Sequence, residues 1–225
     1  MKKNSLFLIF LFFQLSFVFS QTLEMDFLKN KEVKINSYYK SVMKSEERGE
    51  KLKILEDILE NYDKESFSSR DKKLVIIAEK LAMEGVFDKE VVDNRVINSF
   101  PEVRMQAVRL LAKLGGDKQR DLVMNIFIND DDLEVKAEAC EAFIKLGENE
   151  NGDVVRTVIY VYRKYQPRYP KLIFAMISAM REFVTIDSPS YDAAIFLLTE
   201  IGSGSFNNNI KDKAKEAVEH ILSKS

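Results

Sequence analysis

The sequence predicts an all-α protein assembled from stacked helical hairpins, and three observations support this prediction. The chain of 225 residues contains only 8 Gly, 4 Pro and no Trp. Its apolar residues recur at the three- and four-residue spacing of amphipathic helices. Residues 101–115 and 133–147 also resemble each other at an offset of 32 residues. A repeat of this period is typical of hairpins that bury their apolar faces only by stacking on neighbouring hairpins.

The two copies carry the same residue types at equivalent positions. The aligned segments are Glu102-Val103-Arg104 with Glu134-Val135-Lys136, Ala107 with Ala139, and Lys113-Leu114-Gly115 with Lys145-Leu146-Gly147. Pro101 suits the first turn of a helix, where its missing N–H is not needed. Each copy therefore predicts a helix that begins after a polar or proline signal and ends at a glycine.

Residues 1–20 have the pattern of a cleaved secretory signal peptide. Lys2 and Lys3 precede an apolar run from Leu6 to Phe19, and cleavage is expected before Gln21. The alternative is an uncleaved signal anchor, but the run is shorter than the roughly 20 residues that a membrane-spanning helix needs. No cysteine stands at the cleavage point to carry a lipid. We expect an exported protein, in the bacterial periplasm or otherwise extracellular.

The rest of the chain is expected to form one helical domain after a short lead-in. Residues 21–36 are highly charged with weak periodicity, so we predict a poorly ordered or partly helical segment. Residues 37–225 then carry the repeat domain. The predicted helices cover 37–61 with a break at Gly49, 71–84, 88–97, 101–114, 117–129, 133–146, 153–165, 170–184, 188–201 and 208–223. The polar outer face of the last helix is what a terminal cap requires.

The repeated segment resembles HEAT repeats, in the variant found in phycobilisome-lyase-type proteins. The shared motif is Pro101-Glu102-Val103-Arg104, then Ala107, then Leu114-Gly115-Gly116-Asp117. The second copy departs from it at Lys136 and Glu148, and the likeness weakens outside residues 98–147. The resemblance implies an α-solenoid, a right-handed superhelix of antiparallel helix pairs with a curved binding surface. It implies nothing specific about activity.

Composition and single residues give little support for catalysis or for a metal. The chain has one Cys and one His, so a zinc site and an internal disulfide framework are both excluded. Cys140 is expected to be buried, and His220 to be an exposed or capping residue rather than a base. The run Asp130–Asp132 could bind calcium, but capping of the following helix is the preferred interpretation. We predict no enzymatic activity and no cofactor.

Charge also argues against a nucleic-acid partner. The chain carries 34 basic and 36 acidic residues, a net charge of −2, with both signs interspersed. Lys2 and Lys3 belong to the predicted signal, so the remaining chain has a net charge of −4. Nucleic-acid binding would need a clustered basic face.

One helix stands out as a candidate protein-binding surface. Arg156, Tyr160 and Arg163 lie on one stripe of the helix predicted over 153–165, and Lys164 lies beside them. Arg and Tyr are favoured anchors of interfaces. We expect this helix to be the second of its hairpin, and second helices usually line the concave side of such arrays. The alternative is an ordinary solvated face.

The function predicted from these features is that of a non-catalytic scaffold, exported and part of an envelope-associated assembly. It would bind a protein or peptide partner. The alternative is a periplasmic holdase for unfolded clients, which would need exposed apolar surface on the concave side of the array instead of an Arg/Tyr stripe.

Overall fold

A computed structural model describes residues 25–148 and 151–224, and these residues are mainly helical. The helices are α1 (25–44), α2 (Arg48–Glu60), α3 (Lys72–Met83), α4 (Pro101–Leu114), α5 (Asp117–Asn129), α6 (Leu133–Leu146), α7 (Asp153–Tyr165), α8 (Pro170–Phe183), α9 (Tyr191–Ser203) and α10 (Asn208–Ser223). The predicted all-α class is confirmed. Residues 1–20, the predicted signal, lie outside the described part of the chain.

From α2 onward the helices form two rows in which each helix contacts its second neighbour. One row, here called the even row, runs α2, α4, α6, α8, α10. The other, the odd row, runs α3, α5, α7, α9. Contacts are far more extensive along the even row than along the odd row. Buried apolar residues of both rows belong to one hydrophobic core.

Small residues allow the even-row helices to approach closely. The equivalent alanines of the repeat, Ala107 on α4 and Ala139 on α6, are both fully buried. Further alanines occupy buried positions on α8 and α10 (Ala175, Ala179, Ala214, Ala217). A side chain of one carbon lets backbones pack at short distance, and the larger residues between the rows fill the core. Phe127 of α5 and Phe143 of α6 meet edge to face, with ring centroids 5.5 Å apart.

The basic residue of each copy of the repeat is buried, and its side chain binds oxygen atoms at the end of α5. Arg104 binds the Asp130 carboxylate through two nitrogens, Nε at 2.6 Å and Nη2 at 3.0 Å. Lys136, its equivalent, donates to the carbonyls of Phe127 and Ile128 at 2.7 and 2.9 Å. Those carbonyls belong to the last turn of α5, where a cation complements the helix dipole. Both residues therefore hold a helix of the odd row against the even row.

The Asp130–Asp132 run acts in the way the preferred interpretation predicted. Asp132 caps α6, because its Oδ1 accepts from the backbone N–H groups of Glu134 and Val135 at 2.8 and 3.1 Å. Asp130 accepts from Arg104 and from the backbone N–H of Asp132.

The segment between α3 and α4 differs from the expected helix over 88–97. It forms an antiparallel hairpin of β1 (Val91–Val92) and β2 (Arg95–Val96). Asp93 and Asn94 form the turn with φ values of 47° and 63°, the geometry of a type I′ hairpin turn. The side-chain amide of Asn98 clamps the base, since it accepts from the N–H of Glu90 and donates to the carbonyl of Asp88. These local bonds outweigh the weak helical periodicity of the segment.

Of the lead-in predicted over 21–36, residues 25–36 belong to α1, which fits the partly helical alternative and not a poorly ordered segment. Ile35 is buried, and Lys31 bonds to the Asp71 carboxylate at 2.8 Å and to the carbonyl of Ser66 at 2.7 Å. Lys34 pairs with Glu65 at 3.1 Å. The charges that weakened the periodicity thus fasten the helix to the α2–α3 connection. Among the described helices, none is both long and apolar enough to cross a bilayer.

Candidate partner-binding surface

The candidate surface is carried by α7, whose two ends are defined by local bonds. Glu148 caps its start, since the two carboxylate oxygens accept from the N–H groups of Val154 and Val155 at 2.9 and 3.0 Å. At its end Gln166 adopts a left-handed conformation with φ 44°. Val154, Val155, Val158, Val161 and Tyr162 face the core. The opposite side of the helix is therefore directed to solvent.

Contrary to the expected hairpin order, α7 is not the second helix of a pair with α6. It packs against α8, α5 and α9, whereas its contact with α6 is slight. The physical reason is the close even row, in which α6 packs against α4 and α8 along its length. The α7 stripe therefore lies on the odd row with α5, the second helix of the first copy, but α7 pairs with α8 and not with α6.

The four predicted residues are exposed but differ in what they touch. Arg156 binds the carboxylate of Asp153 and the carbonyl of Asn151 near the start of its own helix. Arg163 reaches α9, where it pairs with Glu200 at 2.6 Å and lies 5.4 Å from the ring centroid of Phe196. Tyr160 is 49% exposed. Arg156 is therefore held at the start of its own helix, whereas Arg163 contacts α9.

Arg156 and Tyr160 line a shallow groove between α5 and α7. The groove has a volume of about 490 Å³, and α5 contributes Asp121, Met124, Asn125 and Ile128 to it. It is open and carries both polar and apolar side chains, so it resembles a peptide contact surface more than an enclosed small-molecule site.

Lys164 lies between two aromatic rings at the end of α7. Its Nζ is 5.5 Å from the ring centroid of Tyr160 and 4.9 Å from that of Tyr165. Hydrogen bonding to Tyr165 and Tyr160 raises the pKa of Lys164. Lys136 approaches the Tyr165 ring at 4.7 Å, and the Tyr165 hydroxyl donates to the carbonyl of Ile128. These cation–π contacts hold the side chains of Lys164 and Tyr165 in place.

Phe196, which sequence reasoning missed, extends this surface together with Arg168. Phe196 on α9 is 64% exposed beside Arg163, and Arg168 lies 4.9 Å from the ring centroid of Phe206. Phe196 falls outside the buried stripe of its own helix, which comprises Ala194, Leu197, Leu198 and Ile201. An aromatic residue outside the buried stripe of a helix indicates an exposed apolar side chain, and this could be recognised in the sequence. Its position next to Arg163 was not, because it depends on the packing of α7 against α9.

The other residues considered for chemistry lie apart from this surface. Cys140 is fully buried in α6, and burial raises the pKa of its thiol. His220 is on α10, in the last turn of that helix. Over residues 25–148 and 151–224, no group of three or more His, Cys, Asp or Glu side chains is arranged to hold a metal ion.

Comparison with known proteins gives no relative. No family model, no curated protein and no solved structure matches this chain.

Proposed function

We propose that the chain is a HEAT-like α-solenoid, exported to the periplasm, that acts as a non-catalytic protein-interaction scaffold within an envelope-associated assembly. The solenoid arrangement is supported by the second-neighbour contacts along both rows of helices. It is supported as well by the equivalent burial of the two basic residues, Arg104 and Lys136, of the repeat. Closer contact along the even row would curve the array toward that row.

The observation that carries the scaffold function is the exposed aromatic and basic side of α7 and α9. Tyr160, Arg163, Lys164 and Phe196 are exposed, yet each is held by a ring or ion-pair contact. Side chains that are already ordered lose little conformational entropy on binding, and Tyr and Arg are the residues that most often dominate an interface. Export is inferred from the signal-like pattern of residues 1–20.

A capture experiment tests the scaffold proposal. The full chain with a C-terminal tag is produced in its own host with its leader and recovered from the envelope. We expect the chain to capture a defined partner. The triple variant Arg156→Glu/Tyr160→Ala/Arg163→Glu should capture roughly tenfold less of it, because interface anchors dominate affinity. The matched control, Lys211→Glu/Lys215→Glu on α10, makes the same charge change and should keep the partner. A partner retained equally by both variants would place the binding surface elsewhere.

The holdase alternative is favoured by a different observation, the exposed apolar hairpin. Val91, Val92, Val96 and Ile97 are all exposed on it, and Phe87 precedes it. A holdase would suppress the aggregation of reduced lysozyme, and Val91→Lys/Val96→Lys would abolish that suppression. If the unmodified chain does not slow aggregation at equimolar ratio, the holdase function is rejected.

A further inference from the structure

The cations of α7 and of the turn after it fall into two groups that differ in their partners. Arg156 and Arg163 are paired with Asp153 and Glu200. Lys164 and Arg168, by contrast, form no ion pair with a carboxylate in the described part of the chain. Arg168 donates only to the Ser205 hydroxyl, at 3.2 Å. Two exposed positive charges at this end of α7 thus stand without intramolecular neutralisation.

Aromatic side chains surround these two charges. Tyr160 and Tyr165 flank Lys164, Phe206 lies under Arg168, and Phe196 borders the neighbouring Arg163. We call Tyr160, Lys164, Tyr165, Arg168 and Phe196 the basic–aromatic patch. Contacts with rings hold its cations at fixed places without cancelling their charge. The patch therefore offers positive charge and apolar surface side by side.

We propose that the basic–aromatic patch binds an acidic peptide segment of the partner protein, one that carries apolar or aromatic residues between its carboxylates. This inference rests on the proposed scaffold function and identifies the chemistry of its partner. Carboxylates would pair with Lys164 and Arg168, and apolar side chains would pack on Tyr160 and Phe196. Charge complementarity of this kind gives register and raises the association rate.

The charge distribution favours an acidic peptide over a nucleic acid. Neutralising a phosphate backbone requires an extended tract of basic residues, whereas the patch holds two unpaired cations on a chain with a net charge of −2. Two cations among aromatic rings match a short segment with a few carboxylates.

Fluorescence anisotropy of the full chain with two labelled peptides tests this inference. One peptide alternates pairs of Glu with Phe or Tyr, and the other replaces every Glu by Gln. We expect the acidic peptide to bind at least about tenfold more tightly, and its affinity to fall several-fold between about 50 and 300 mM salt. Equal binding of the two peptides overturns the inference. So does stronger binding to anionic vesicles or to a single-stranded oligonucleotide.

Variants then locate the binding to the patch. Lys164→Glu and Arg168→Glu should each lower the affinity for the acidic peptide by about tenfold. Lys164→Arg should retain binding, because it keeps the charge. Lys211→Glu is the matched control and should leave the affinity unchanged. Loss of affinity in the control to the same degree would show that net charge, and not the patch, attracts the peptide.

The outcomes separate this inference from the scaffold function itself. If the envelope partner is lost on Arg156→Glu/Tyr160→Ala/Arg163→Glu but kept by Lys164→Glu/Arg168→Glu, the scaffold stands and the acidic-segment inference fails. If no envelope partner is captured at all, the scaffold function fails, whatever the peptides do.

Discussion

At the scale of single residues, the Val-basic pair of the repeat has a structural role. Arg104 and Lys136 are almost fully buried, and both direct their charge to oxygens at the end of α5. Arg104 binds the carboxylate of Asp130, and Lys136 binds the carbonyls of Phe127 and Ile128. A buried charge persists only where it is paired or hydrogen-bonded. These two residues are therefore part of the fold and unavailable for a partner.

Replacing Arg104 by Met should strongly destabilise the protein. The change leaves the Asp130 carboxylate buried without its bidentate partner, and breaking a buried pair in this way costs about 3–5 kcal/mol. Urea denaturation followed by circular dichroism measures the free energy of unfolding. The control is Arg48→Met, which breaks an ion pair with Glu102 whose two side chains are 51% and 47% exposed, and it should cost less than about 1 kcal/mol. Equal losses for both variants would contradict this account.

Lys136 predicts a pH dependence of stability. Burial is the main cause that lowers its pKa to about 8, below the value of 10.5 expected for the unfolded chain. Between those values the unfolded state binds more protons than the folded state, so the contribution of Lys136 to stability rises with pH. Below pH 8 both states are protonated, and the contribution is flat.

The measurement compares the unmodified chain with Lys136→Met from pH 7.5 to 10 in urea. The stability difference should move in favour of the unmodified chain by on the order of 2 kcal/mol across that range. Lys145→Met, at an exposed position of the same helix, should show no such trend. A flat difference for Lys136→Met would mean that this lysine is not desolvated.

At the scale of elements, the segment between α3 and α4 shows how local bonds overcome a weak pattern. Gly85 has φ 74°, and a Cβ added there would lie 2.6 Å from the Cα of Ser99. The backbone of the hairpin base therefore passes against the end of α3 without room for a side chain. The side chain of Asn98 and the Asp93–Asn94 turn complete the hairpin. The mixture of charged residues and valines in this segment did not distinguish a helix from a strand.

Gly85→Ala should therefore destabilise more than Gly147→Ala. Both glycines have positive φ, but the space around a Cβ at Gly147 is open. Gly147→Ala should lower the free energy of unfolding by about 1 kcal/mol, because of the backbone conformation alone. Gly85→Ala should lower it by about 3 kcal/mol, because a clash with the backbone of Ser99 is added. Thermal unfolding of the two variants side by side gives the comparison. Similar melting temperatures would show that the hairpin base can move.

At the scale of the whole molecule, the even row is organised by small residues. Ala107 and Ala139 are fully buried at equivalent positions of neighbouring helices, so α6 can pack tightly between α4 and α8. The odd row lacks comparable contacts and keeps its outer side open to solvent. That difference leaves the α7 and α9 side chains accessible.

Ala139→Leu should test this packing. Three added carbons in a full interior force the neighbouring helices apart, which costs about 1–3 kcal/mol. Ala193→Leu places the same side chain at an exposed position of α9 and should change stability by less than about 0.5 kcal/mol. Denaturation midpoints of the two variants provide the test. An unchanged midpoint for Ala139→Leu would refute close packing along the even row.

The candidate site was predictable only in part. The stripe of Arg156, Tyr160 and Arg163 follows from helical spacing alone, and all three are exposed in the structure. Lys164 is adjacent to Arg163 in the sequence, but the sequence does not show that its ammonium group lies between the rings of Tyr160 and Tyr165. The contribution of Phe196 depends on α9 packing beside α7, and no local pattern encodes such a distant contact.

The sequence by itself determined the helical class, most helix bounds and the buried stripes, because periodicity, caps and glycine stops act over a few neighbouring residues. Only the tertiary structure decided which helices pair, which row lies closer together and where the hairpin replaces a helix. Those outcomes depend on the volume of buried side chains and on contacts between distant segments. The same packing placed α7 on the odd row and brought Phe196 beside Arg163, and so set the composition of the candidate surface.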